Sequence, residues 1–111
     1  MKEQIQEIEK YAKENNVPII EKESICYIMK YIKEHNIKNI LEIGSAIGYS
    51  AILMASSNVN TTVTTIERDE ARYMECLKNI KKCGLDKKIN VVYQDALDVN
   101  LTGVSYDLIF I

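Results

Sequence analysis

The sequence contains no apolar stretch approaching the ~20 residues that a membrane-spanning helix requires. Met1-Lys2-Glu3-Gln4 leads into acidic, amphipathic sequence rather than into the apolar core of a secretion signal. Its three cysteines, Cys26, Cys76 and Cys83, form no C-x-x-C pair, which removes the usual spacings of a zinc site or a disulfide framework. Cys76 and Cys83 are seven positions apart on a predicted helix, roughly 10 Å at 1.5 Å per residue. That exceeds the ~7 Å limit on Cα separation for a bridge, so all three read as reduced packing residues. Charge of one sign is also missing: 14 Lys and Arg stand against 16 Asp and Glu, giving no global attraction to nucleic acid or anionic membrane. The expectation is a cytoplasmic globular chain. Its 111 residues make one domain or part of one.

What is present is a regular alternation. Ile5, Ile8, Tyr11 and Ala12 recur at helical spacing over residues 2–15, and Pro18 ends that helix by pushing Val17 into an extended conformation. A second helix is predicted over 22–35, with Ile25, Ile28, Met29 and Ile32 on one face. From Asn39 the pattern changes. Ile40-Leu41-Glu42-Ile43, Thr61 to Ile66, Ile89 to Tyr93 and Tyr106 to Ile111 read as strands. Helices over 48–57 and after Asp69 lie between them, Asp69 being placed to cap the second and Gly84 to stop it. Strands alternating with helices imply right-handed crossovers and a parallel α/β sheet. The chain divides into an N-terminal helical segment, 1–37, and a sheet-bearing part, 38–111. It closes at Ile111 on an almost wholly apolar strand with no turn residue after it. A strand of this kind normally lies inside a parallel sheet, so the end reads as a truncation; a strand that docks at the sheet edge is the alternative.

Three features fall at the C-terminal ends of successive strands, where open α/β sheets bind ligands. In Leu41-Glu42-Ile43-Gly44-Ser45-Ala46-Ile47-Gly48-Tyr49-Ser50, Gly44 lets the backbone turn sharply and approach a ligand without a Cβ in the way. Gly48 opens the following helix, and Ser50 adds a hydroxyl. An ordinary glycine turn would look the same. Glu67 follows the second strand, 23 positions beyond Gly44, where a carboxylate can accept from both hydroxyls of a ribose or simply favour a helix dipole. Gln94-Asp95-Ala96-Leu97 follows the third; an Asp beside a small residue can accept from an adenine amine, or can cap a polar loop. Three weak signals in register are stronger than any one.

With L-E-I-G-S-A-I-G-Y-S, the Ile66-Glu67 pair and Y-D-L-I-F-I in place, the chain resembles the class I methyltransferases of the catechol and caffeoyl-CoA O-methyltransferase type. Their bacterial branch includes enzymes that methylate 5-hydroxyuridine in tRNA and has similar N-terminal helices with a V-P-I segment. The resemblance covers essentially all 111 residues. It implies a Rossmann-like fold, of which this chain holds the parallel-sheet half: four strands in the order 3-2-1-4 behind two N-terminal helices. It implies S-adenosyl-L-methionine as cofactor and methyl transfer to an acceptor hydroxyl. Glu42, Gly44, Gly48, Tyr49 and Ser50 would line the methionine and ribose end, with Ile20 contributing from the N-terminal segment. Glu67 would hold the ribose, Arg68 would border the adenine, and Asp95 with Ala96 would hold the adenine edge. In the family an Asp that binds Mg²⁺ follows the Y-D-x-I-F-I strand at once, and an Asp-Asn pair comes later. This chain stops one position short of the first, so Mg²⁺ is expected only in a full-length form.

No residue stands out as a catalytic base. His35, the only histidine, falls at a helix end, and Asp107 reads as structural. Lys78, Lys81, Lys82, Lys87 and Lys88 cluster locally; they could touch RNA phosphates or form a solvated helix end. The acceptor stays open between a small-molecule hydroxyl and a tRNA wobble uridine, and a homodimer is compatible with the family. The competing readings are an NAD-type nucleotide-binding module, which would need G-x-G-x-x-G where this chain has Ala46 in a G-x-x-x-G spacing, and a catalytically inactive fragment.

Overall fold

A computed structural model describes residues 1–111. The N-terminal helices are α1 (Lys2–Glu14) and α2 (Lys22–His35). They are followed by β1 (Asn39–Ile43), α3 (Tyr49–Ser56), β2 (Thr62–Glu67), α4 (Glu70–Lys82), β3 (Ile89–Tyr93), a 3-10 turn (Ala96–Asp98) and β4 (Leu108–Phe110). All strand pairings are parallel, and the order across the sheet is β3-β2-β1-β4. This is the α/β arrangement that the alternation of elements implied.

The helix ends follow local chemistry. Pro18 lies in the extended segment after α1. Asn36, in the left-handed conformation, ends α2. The Asp69 side chain accepts from the Arg72 backbone amide at 2.9 Å, capping α4. Ile8 and Ala12 of α1 and Ile25 and Ile32 of α2 are buried in one cluster with Ile40, Ile52, Met54, Val63, Ile80 and Ile89. The helices therefore share a core with the sheet. Strand pleating puts Ile40, Val63 and Ile89 on the same face, and Val91, Leu108 and Phe110 add to it from that side. Glu42, Thr65 and Glu67 lie further along this face by the same alternation.

β4 is shorter than the run Tyr106 to Ile111 suggested. Asp107 stands just ahead of the ladder: its amide donates to the Asn39 carbonyl at 2.8 Å, and its carboxylate accepts from the Lys38 and Asn39 amides at 3.2 and 3.0 Å, pinning the start of β1. The structural role read for Asp107 is the one it has. β4 stands at the sheet edge with Ile109 exposed. Thr61 falls just before β2; it is fully buried, and its hydroxyl donates to the Ile37 carbonyl at 2.5 Å. Tyr11, on the expected apolar stripe of α1, is partly exposed.

Gly48 is the tightest point of the fold. It caps α3 at φ +92°, and a Cβ built there would stand 3.1 Å from the Cys76 sulfur of α4. Gly44, at φ +91°, has open space where its Cβ would be. Gly48→Ala should therefore lower unfolding free energy by on the order of 1–3 kcal/mol, backbone strain and the crowded sulfur acting together. Gly44→Ala should cost less, carrying only the backbone term. Urea denaturation of both variants checks the ranking, and equal losses would contradict it.

Candidate functional site

The tips of β1, β2 and β3 enclose a cleft of about 310 Å³, lined by Ile43, Gly44, Ile66, Glu67, Arg68, Arg72, Gln94, Asp95 and Ala96. A smaller recess of about 150 Å³ adjoins it, formed by the Pro18-Ile19-Ile20 segment, Glu42, the 43–46 turn, Tyr49, Ser50 and Phe110-Ile111. The two share Ile43 and Gly44. Their common wall is thus the turn whose glycine leaves an open approach. Together they form an elongated, two-part depression along the strand ends.

Two carboxylates organise it. Glu67, the last residue of β2, is only 7% exposed. It accepts from the Ala46 amide at 2.7 Å through Oε1 and from the Asp69 amide at 2.9 Å through Oε2. The Gly44 and Ser45 amides both donate to the Ile66 carbonyl, at 2.8 and 3.1 Å. The β1–α3 turn is thereby fastened to the tip of β2, and Ala46 is held at φ +47°. Each Glu67 oxygen still has a lone pair free.

Glu42 lies opposite Thr65 in the β1–β2 register and is 1% exposed. Its carboxylate accepts from Thr65 Oγ1 at 2.6 Å and from the Ser50 hydroxyl. Ser45 Oγ lies 2.5 Å from Thr65 Oγ1. Burial is the largest influence on Glu42 and raises its pKa from the usual 4.5 to about 7; the Ser50 and Thr65 hydrogen bonds oppose the rise and nearby Glu67 adds to it.

The sequence-predicted residues divide between the two recesses. Gly44, Glu67, Arg68, Asp95 and Ala96 line the larger, and Ile20, Glu42, Gly44, Tyr49 and Ser50 the smaller. Gly48 lines neither; it packs against Cys76 beneath the turn. Asp95 Oδ1 accepts from the Leu97 amide at 3.0 Å, capping the 3-10 turn, while its Oδ2 lies 3.7 Å from an Arg68 nitrogen. That pair is solvent-exposed and contributes little to stability. The Tyr49 hydroxyl donates to Glu9 of α1 at 2.7 Å, and burial followed by Glu9 raises its pKa. Glu9 in turn lies 3.6 Å from Lys22.

Sequence reasoning missed Ser45, Thr65 and Arg72. Thr65 looked like one threonine among several in a strand, and only the register that sets it beside Glu42 distinguishes it. Cys76 is fully buried, and burial, then Glu42 and Glu67, push its thiol up to about 12; that suits packing, not nucleophilic chemistry. His35 accepts from or donates to no group at the cleft; its Nδ1 lies 3.0 Å from the Tyr31 carbonyl on the surface of α2. Lys88 leaves the basic cluster, because its ammonium donates to the Ala55 and Asn58 carbonyls at 2.6 and 3.0 Å, in and just after the last turn of α3.

The raised pKa of Glu42 makes a prediction about stability. Between pH 4.5 and about 7 the folded chain keeps a proton that the unfolded chain has released. Stability therefore falls as pH rises through that window and is level on either side of it. Glu42→Gln, which cannot ionise, should remove this slope. Its unfolding free energy relative to the parent should climb by on the order of 3 kcal/mol across the window. Parallel stability curves for the two proteins would contradict the assignment.

Comparison with known proteins agrees with this geometry. The O-methyltransferase family model matches residues 1–111. Tapetum-specific methyltransferase 1 of Arabidopsis thaliana is 36% identical over 110 residues, covering 94% of this chain and 47% of that protein. The crystal structure of a caffeoyl-CoA O-methyltransferase-like protein of Staphylococcus aureus superposes with TM-score 0.89 at 34% identity, over 95% of this chain and 51% of that one. An O-methyltransferase from Bacillus cereus, solved with S-adenosylhomocysteine, superposes with TM-score 0.78 at 25% identity, over 86% of this chain and 45% of that one. The chain thus spans about half the length of these relatives, and its open parallel sheet is the Rossmann-like sheet of class I methyltransferases. Family match, curated relative and fold all lead to one statement: this chain belongs to the O-methyltransferase family.

Proposed function

We propose that the protein to which this chain belongs transfers a methyl group from S-adenosyl-L-methionine to an acceptor hydroxyl, and that residues 38–111 carry the cofactor-binding half, with 1–37 as a helical segment beside it. The observation that carries this reading is the two-part depression joined at Gly44. The cofactor has the same division, a nucleoside on one side and an amino acid on the other, and when bound it supplies an electrophilic methyl group on its sulfonium.

The residues present fit such a molecule. Glu67 keeps free lone pairs for both ribose hydroxyls. Asp95 and Ala96, with Arg68 alongside, border the adenine: one acceptor for its amine and a small side chain that leaves room for the ring. Glu42, held by the hydroxyl that Ser50 donates to it, meets the ammonium of the amino-acid part, with Tyr49 and Ile20 closing that recess. Gly44 allows the backbone to approach the ligand, and Gly48 acts indirectly by seating α3 against α4. Positioning of the donor methyl is the chain's contribution to rate.

A diphosphate-bearing cofactor such as NAD fits less well. The Ala46 amide, which a phosphate would need, is already taken by the Glu67 carboxylate at 2.7 Å, and a second anion there would be repelled. No three His, Cys, Asp or Glu side chains converge into a group that could hold a metal ion; Mg²⁺ belongs to this reading only in a full-length form. The acceptor is a small-molecule hydroxyl or a tRNA wobble uridine, in a cytoplasmic enzyme compatible with a homodimer. No helix is long and apolar enough to cross a membrane.

Isothermal titration of the purified chain should detect binding of S-adenosylhomocysteine and none of NAD. Glu67→Ala should weaken that binding by at least about tenfold, the loss of charge-assisted hydrogen bonds amounting to roughly 1.5–3 kcal/mol. A folded chain indifferent to S-adenosylhomocysteine would overturn the reading.

A further inference from the structure

Glu42 is an incomplete electrostatic site. It is almost wholly buried, yet no lysine, arginine or histidine nitrogen lies within salt-bridge distance of it. A buried carboxylate without a cation is costly unless hydrogen bonds or a bound cation compensate. The groups facing it are neutral or acidic: Thr65 and Glu67 from β2, Ser50 from α3 and the Cys76 thiol from α4. The nearest acid of α1, Glu9, is engaged by Tyr49 and Lys22.

While Glu42 is ionised, the hydroxyls around it have one direction. A hydroxyl has one proton. Thr65 gives its proton to Glu42 Oε1, so the 2.5 Å contact with Ser45 can be made only by Ser45 donating to Thr65. The order Ser45 to Thr65 to Glu42 is therefore a one-way chain, closed on the far side by Ser50. It spans three elements, the β1–α3 turn, β2 and β1, at the recess where the amino-acid part of the cofactor is placed.

We propose that Thr65 and Ser45 are positioning residues, whose directed hydroxyl chain keeps Glu42 ionised and oriented toward the ammonium group of the bound amino-acid moiety, so that cofactor affinity weakens in mild acid. This rests on the S-adenosylmethionine reading above. Thr65 lines neither recess and acts through the carboxylate; Ser45, almost wholly buried in the wall of the smaller recess, acts on that carboxylate through Thr65. Protonation of Glu42 would remove the charge and let the carboxyl donate to a neighbouring hydroxyl, reversing the chain and leaving the ammonium without its partner. Binding below neutral pH must then expel a proton from the protein.

Calorimetric titration of the chain with S-adenosylhomocysteine between pH 5.5 and 8.5, in two buffers of different ionisation enthalpy, tests this. The parent should lose affinity by up to about tenfold per pH unit below about pH 7 and should release a proton on binding there. Thr65→Val, which keeps the shape but cannot donate, should shift the midpoint upward. Its affinity should be several-fold weaker at pH 6.5, the gap shrinking toward pH 8.5, while Thr65→Ser should restore the parent profile. Ser45→Ala should give a smaller shift in the same direction; it decides the matter alone if Thr65→Val does not fold by circular dichroism. Absence of any binding by the parent would take down the cofactor reading and this proposal together. Binding that is independent of pH, or unchanged in profile by Thr65→Val and Ser45→Ala, would overturn the proposal and leave the cofactor reading standing.

Discussion

The site depends on one carboxylate at the end of one strand. Glu67 uses both oxygens on backbone amides, Ala46 on one side and Asp69 on the other, and so binds the turn after β1 to the start of α4. Charge-assisted hydrogen bonds to amides are among the stronger polar contacts a protein makes. Here they hold a turn with successive unusual conformations, positive φ at Gly44, Ala46 and Gly48, that would otherwise relax. The cleft between the strand tips keeps its shape because that turn does.

The second acid works on a different principle. Glu42 lies in the interior with hydroxyls but no cation around it, and burial holds its carboxyl close to neutral pH. Desolvation of this kind disfavours folding, a sign that the position is occupied for something other than stability. The two acids lie on the same face of the sheet, on adjacent strands, and each serves one of the two recesses. Because a single turn borders both recesses, a change that frees it would be felt at both ends of a bound ligand.

Much of this was legible in the sequence. The alternation of helical and strand periodicity gave the element order, and Gly44, Glu67 and Asp95 were recognisable because each directly follows or ends a strand. Those are positions where an open α/β sheet presents side chains to a ligand. Long-range consequences of pairing were not legible. Thr65 becomes special only when the parallel register sets it opposite Glu42, and Lys88 becomes structural only when β3 carries it to the end of α3. The packing of Gly48 over Cys76 was not legible either, since the motif fixes a glycine's conformation without saying which neighbour requires it. The extent of β4 was misjudged for a similar reason: its ladder opens only after Asp107, whose amide and carboxylate both engage Asn39 at the start of β1, 68 positions away.

The central claim, that the Glu67-fastened turn and the two recesses on either side of it form one ligand cradle, is tested most directly by amide chemical-shift mapping of the labelled chain as S-adenosylhomocysteine is added. The account predicts shifts concentrated at Gly44 to Ala46, Glu67 to Asp69 and Asp95 to Leu97, with Ile19 and Ile20 moving as well. Shifts confined to the exposed surface of α2, or saturable binding that leaves the Gly44 to Ala46 amides undisturbed, would contradict it.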